Sequence, residues 1–284
     1  MDNSRLARPF LIIPSVFMIA ALGIPLIYMV VLSFRSSWSA TGGTGWSLAQ
    51  YRRFFADTYY LRNVLWVSIK LGAVSTASAL ILGYPVALII ARTPNQKLKN
   101  ALLLMSIVPL WVNIVVRGFG FSVLISDTGF VNRMLLALGA PQHIKFMSTE
   151  LGVLIGFIQV SIPYIVLPLV GVLESIPTSL EEAAYSVGAK PFKTFRSIIF
   201  PLSLPGVLAG SLITFALNAS GFAIPAMLGG GKVRMMALCA YEEAMALGNF
   251  PFAALLGLLL IVASAFCVIP YLYFSSRLYY GKGR

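Results

Sequence analysis

Six stretches of this chain, roughly 10–34, 64–91, 101–126, 151–173, 202–228 and 251–274, are apolar over at least twenty residues. The hydrocarbon core of a bilayer needs about 20 helical residues to cross. Only structures that satisfy their own backbone hydrogen bonds survive there, which for runs of this length means α-helices. The expected architecture is therefore an all-α integral membrane protein with six transmembrane helices. Composition agrees. Of 284 residues, 58% are hydrophobic and 11% charged, against roughly 25% charged in a soluble domain. So few charges cannot cover a water-facing surface, and the remaining surface must face lipid.

The net charge of +12 would suggest nucleic acid in a soluble protein. Here the basic residues sit between the apolar runs, which reads as membrane topology, and nucleic acid is not an expected partner. If the N-terminus is inside, segments 1–9, 92–100, 174–201 and 275–284 are cytoplasmic. They hold Arg5, Arg8, Arg92, Lys97, Lys99, Lys190, Lys193, Arg196, Arg277, Lys282 and Arg284. The longer outer segments hold Arg35, Arg52, Arg53, Arg62, Arg133, Lys145, Lys232 and Arg234. The bias favours both termini in the cytoplasm. The first run is too long for a signal-peptide core and is read as a retained helix.

Chemistry-bearing clusters are not evident. Cys239 and Cys267 lack metal or redox spacing, and the single histidine, His143, lies in a loop. That leaves no nucleophile–base set and no metal-ligand set. Gly229-Gly230-Gly231-Lys232 resembles a phosphate loop only superficially, since Val233 follows the lysine and no strand precedes it. A membrane enzyme is disfavoured on these grounds. An ion-coupled secondary transporter would call for intramembrane carboxylates and an inverted repeat, neither of which is evident.

Prolines recur inside the runs, at 14, 25, 85, 109, 163, 168, 205 and 225. A membrane bundle tolerates them because neighbouring groups can take up the freed carbonyls. Gly206 and Gly210 form a small-residue pair suited to close helix packing.

The segment between the fourth and fifth runs has a different character. Residues 179–201 read SLEEAAYSVGAKPFKTFRSIIFP. Ser179 and Glu182 have capping-box spacing, so a helix should begin near Leu180. Gly188 can end that helix in a left-handed cap. Pro191 suits the first turn of a second helix, running to about Ile199, on which Phe192, Phe195 and Ile198/Ile199 form an apolar stripe. Pro201 opens span five. On pattern alone this is a helix–turn–helix at the cytoplasmic membrane face. An interfacial connector without special function is as good a reading at this point.

The segment resembles the E-A-A…G…I-x-L-P signature of ABC type I (MetI-like) importer permeases. The matching residues are Glu182, Ala183, Ala184, Gly188, Ala189, Phe195, Ile198 and Pro201, with Phe200 where leucine is usual. The position between spans four and five of six also agrees. The resemblance implies a cytoplasmic coupling helix pair, about 176–201, that inserts into a groove on an ATP-binding cassette ATPase dimer. On that reading Gly188 permits the turn, and Ala183 and Ala184 permit close approach. Glu182 either caps the helix or pairs with a basic residue of the partner. No cofactor is expected in this chain, since ATP and Mg would sit on the ATPase. A second homologous permease, a periplasmic substrate-binding protein and membrane lipid complete the expected partners. The division is then 1–63, an N-terminal helix and first periplasmic loop, and 64–284, the permease domain.

The third run carries Trp111, Asn113 and Arg117 in its middle. A buried arginine there costs about 2.5–3.5 kcal/mol on insertion scales and should face the bundle interior or a wet cavity. Asn113 and Arg117 are four apart, hence on one helical face. Arg117 pairs structurally with helix carbonyls or Asn113, or lines a path. Gln159, Ser161, Asn218 and Ser220 are further path candidates, each equally suited to a helix–helix hydrogen bond. Lys70 is near enough to its span's end to snorkel outward. The run Pro109-x-Trp111-x-Asn113-x-x-x-Arg117 and the loop 129–139 resemble spermidine/putrescine permeases. That resemblance implies a polyamine substrate. The absence of Asp or Glu inside a span leaves open an anionic, amino-acid-like or metal-chelate solute.

Overall fold

In the computed structural model the described residues are 4–36 and 45–280, with side chains described for 14–36 and 45–271. The side chains of Arg5, Arg8 and Arg277, and residues Lys282 and Arg284, lie outside that set.

The chain is helical almost throughout. In order come α1 (Ser4–Ser33), α2 (Ala49–Ala56), a π-helical turn (Tyr60–Leu65), α3 (Trp66–Arg92), α4 (Gln96–Trp111), α5 (Ile114–Ile125) and α6 (Phe130–Ala137). They are followed by α7 (Glu150–Ser175), α8 (Ser179–Ser186), α9 (Pro191–Thr194), a second π turn (Phe195–Ile199), α10 (Phe200–Ala219), α11 (Ala223–Leu228), α12 (Met236–Met245) and α13 (Phe250–Tyr280). Among the described residues, six stretches are long and apolar enough to cross a membrane: Pro14–Ser33, Tyr60–Arg92, Ile114–Ala137, Glu150–Ser175, Pro191–Ala219 and Phe250–Tyr271.

Helices α3, α7 and α10 form the centre, and α1 lies against α13 at one side. Small residues let the central helices touch. A Cβ on Gly210 would stand 3.1 Å from Ile165 Cα, and one on Gly206 3.1 Å from Leu169 Cα. The Gly206/Gly210 pair is thus used within the chain, seating α10 on α7. Polar pins add to this packing. Asn218 Nδ2 donates to Ser75 Oγ and to Ser161 Oγ, each at 2.8 Å, joining α10, α3 and α7 in the buried centre.

Two apolar clusters flank that pin. One gathers Leu71, Ile125, Phe157, Ile224 and Leu228, and the other gathers Tyr84, Ile90, Leu169, Leu173, Ile176 and Ile199. A third, around Phe54, Met236, Phe252 and Leu255, ties α2 and α12 to α13. Arg53 reinforces it, pairing with Glu243 at 2.7 Å and lying 4.0 Å from the Phe252 ring centroid.

Three expectations change. The third run is not one helix: α4 stops at Trp111 and α5 starts at Ile114, with Val112 and Asn113 in extended backbone between them. The fifth run, expected as 202–228, ends at Ala219, and α11 is a separate short helix. At the break, Gly221 packs so tightly that a Cβ would lie 2.8 Å from the Phe157 ring. Finally, the second helix of the expected helix–turn–helix is not separated from span five. Pro191 to Ala219 is continuous, because the π turn 195–199 widens the ladder just before Pro201, which has no N–H to offer.

Candidate functional site: a helical knob and a broken span

The first functional element is the helical hairpin α8–α9. Helix α8 begins one residue earlier than the capping box implies. Thr178 occupies the cap with helical dihedrals and no side-chain bond, while Leu180 N–H already donates to Pro177 O. Ser179 is thereby inside the first turn and cannot cap it. At the other end the expected left-handed cap forms. Gly188 has φ +79°, its N–H donates to Tyr185 O at 2.9 Å, and Ala189 N–H donates to Ala184 O at 3.0 Å. This pair of bonds is the Schellman closure. Pro191 then stands at the first turn of α9.

The hairpin is fastened to α3 at two points. Arg92, the last residue of α3, pairs with Glu181 at 2.6 Å and donates to Leu173 O at 3.0 Å. Beside the hairpin, Lys99 of α4 pairs with Glu174 of α7 at 2.8 Å, which braces the bundle itself. The Phe195 ring meets Tyr84 edge-on with centroids 5.4 Å apart. Sequence reading missed the Arg92–Glu181 pair. The adjacent acids Glu181 and Glu182 were a visible signal, but only the fold shows that one turns inward and the other outward.

The signature residues therefore divide. Ala184 is buried against the chain itself, where it serves the hairpin's own packing. Phe195, Ile198 and Pro201 are partly covered and Ala189 is half-buried, whereas Glu182, Ala183 and Gly188 are exposed. The expected stripe also splits, because Phe192 leaves it. Phe192 is 73% exposed, with Val187 at 83% beside the turn, and Tyr185 and Leu180 are also exposed. The result is a rigid knob with an inward apolar seat and an outward apolar crest.

The second element is the break in the third span. Asn113 caps α5, accepting from Val115 N–H at 2.8 Å. Arg117 turns back across the gap, and its Nη1 donates to Pro109 O at 2.8 Å. Arg117 thus pairs with a carbonyl, not with the Asn113 side chain. Trp111, at the end of α4, is 78% exposed, and Asn113 is exposed beside it. The remaining path candidates do not join them. Ser161 and Asn218 are buried in the three-helix pin, Gln159 is half-buried on α7, and the exposed Ser220 bonds its own helix at Ala216 O. Lys70 reaches Glu150 at 2.5 Å.

A helical knob between the fourth and fifth spans of a six-span bundle fits the permease class of binding-protein-dependent import systems. Residues 83–279 match the family model "Binding-protein-dependent transport system inner membrane component", and the chain belongs to that family. It is a multi-pass inner-membrane transport subunit rather than an enzyme. Among relatives, it is 30% identical to the spermidine/putrescine transport system permease protein PotB of Haemophilus influenzae, over 79% of this chain and 78% of that one. It is 32% identical to PotB of Salmonella typhimurium, with the same coverage. Its fold is that of the bacterial ABC transporter that imports the acidic polysaccharide alginate, with a TM-score of 0.77 over 97% of both chains at 17% identity.

Proposed function

We propose that this chain imports a polyamine, putrescine or spermidine, as one of two related permeases driven by a separate ATPase dimer and supplied by a periplasmic binding protein. The observation that carries the substrate is the likeness to spermidine/putrescine permeases over four-fifths of the chain. The exposed Trp111 supports it, because an aromatic face attracts an amine cation. The knob α8–α9 faces the cytoplasm in this reading, with both termini on the same side. Its crest enters a groove of the ATPase. Closure of the ATPase on ATP moves the knob, and the two fastenings to α3, with the continuous helical run from Pro191 to Ala219, carry that motion into α3 and α10. ATP and Mg belong to the ATPase.

The second permease covers part of the outer surface. Helix α4 has no buried residue, and Val115, Val116 and Phe119 of α5 are exposed. The test is uptake of labelled putrescine and spermidine by cells carrying the whole transport system, with and without this chain. Saturable uptake that disappears on deletion supports the reading. Unchanged uptake overturns the polyamine assignment and leaves the family assignment in place.

A further inference from the structure

The break in the third span has an unusual electrostatic arrangement. Helix α4 ends at Trp111, where its last carbonyls have no intrahelical partner and form the negative end of its dipole. Helix α5 begins at Ile114 with the opposite polarity, and Arg117 sits in its first turns, where a positive charge is disfavoured. Arg117 is nonetheless turned away from α5 and onto α4, donating Nη1 to Pro109 O. In an unbroken helix that carbonyl would accept from the backbone N–H of Asn113. Asn113 is instead an extended cap, with its side chain occupied by Val115 N–H.

We infer that Arg117 is a positioning residue. Its guanidinium replaces the lost backbone bond and holds the break open, which keeps Trp111 and Asn113 facing the substrate path. The bond also offsets part of the charge. The guanidinium stays cationic, but the Pro109 carbonyl and the negative end of α4 weaken its repulsion of a cation moving past Trp111. This inference rests on the import reading above and adds a role for a residue that does not itself touch substrate.

Two measurements test it in the assembled importer. The first is uptake kinetics of Arg117→Leu and Arg117→Lys. Arg117→Leu is expected to raise KM about tenfold through misplacement of Trp111, with the protein still present in the membrane. Arg117→Lys still donates to a carbonyl and stays within about threefold of the parent. The second needs no substrate. Trp111→Cys is placed in a background with Cys239→Ala and Cys267→Ala, and labelled with a water-soluble thiosulfonate. Labelling is expected, and addition of Arg117→Leu is expected to suppress it. Unlabelled Trp111→Cys, or labelling indifferent to Arg117→Leu, overturns the inference. So does a KM for Arg117→Lys as poor as that for Arg117→Leu, which would make the guanidinium a direct substrate contact. Because labelling is independent of the solute, loss of the polyamine assignment would leave this arm decisive.

Discussion

The Tyr84 hydroxyl of α3 lies 2.7 Å from Ser203 Oγ of α10, in the buried layer beneath the knob. Ser203 gives its own proton to Phe200 O at 2.9 Å, so Tyr84 is the donor. The same ring supports Phe195, the aromatic anchor of the knob. One side chain thus links span two, span five and the hairpin.

Removing only the hydroxyl should be mild. Tyr84→Phe loses one interhelical bond, worth about 0.6 kcal/mol in membrane proteins, and keeps the ring contact. Tyr84→Ala removes the ring and leaves Phe195 without its seat. The expected outcome is uncoupling, read in proteoliposomes as more ATP hydrolysed per solute imported. Tyr84→Phe is expected to keep a ratio near the parent. Equal ratios in both variants would remove Tyr84 from the transmission path.

The turn of the knob makes a sharper prediction. Space around Gly188 is open, so its φ of +79° alone resists substitution. Gly188→Ala should cost about 1 kcal/mol and reduce uptake modestly. Gly188→Pro is forced to φ near −65° and loses the N–H that closes on Tyr185 O. Uptake should vanish while the protein remains in the membrane at parental levels, checked by immunoblot of washed membranes. Full uptake by the proline variant would sink the coupling role.

Much of this was legible in the residues. Apolar runs at bilayer length gave six spans, and Gly188 followed by Pro191 gave the turn and the restart. The capping box misled because Ser179 fell inside a turn that Pro177 had already begun. The break at Val112–Asn113 was harder to see. Pro109 weakens the ladder, but only the extended backbone of the next residues and the recruitment of Arg117 separate a break from a kink. Burial decided the rest. Asn218 and Ser161 carry groups that suit a ligand as well as a neighbouring helix, and which they meet depends on contacts between helices distant in the chain.

The crest of the knob should dominate its docking energy. Large apolar side chains at the centre of an interface often cost 2 kcal/mol or more on truncation. Phe192→Ala is expected to weaken binding of the detergent-solubilised permease complex to the purified ATPase by about thirtyfold. Ser197→Ala, on the exposed side of the π turn, should leave it unchanged. Surface-immobilised ATPase gives both affinities directly. Parental affinity in Phe192→Ala would move the docking surface elsewhere.

Cys239 offers a pH test. It is buried on α12, outside the membrane-crossing stretches, and burial pushes its thiol up to about 11. The native thiol should stay protonated and unreactive to a water-soluble maleimide at pH 8. Because the unfolded thiol ionises near 9, its contribution to stability is complete below pH 9 and fades as pH rises towards 11. In a Cys267→Ala background, labelling at pH 8 should require denaturant, and rapid labelling of the native protein would contradict the packing of α12 against α13.

The pin at Asn218 joins three helices through two donated bonds, and its loss can be weighed. Ser75 also bonds Gly72 O and Ser161 also bonds Phe157 O, so both hydroxyls stay satisfied when the amide is gone. Asn218→Ala then forfeits two interhelical bonds of about 0.6 kcal/mol each and leaves a small cavity. We expect a loss of about 1–2 kcal/mol, seen as a lower melting temperature of the solubilised complex. Ser75→Ala in the Asn218→Ala background should add little, because their shared bond is already absent. Additive losses would mean that the two residues act separately, and that α3 and α10 are held together by packing around Gly72 and Ala219 rather than by this bond.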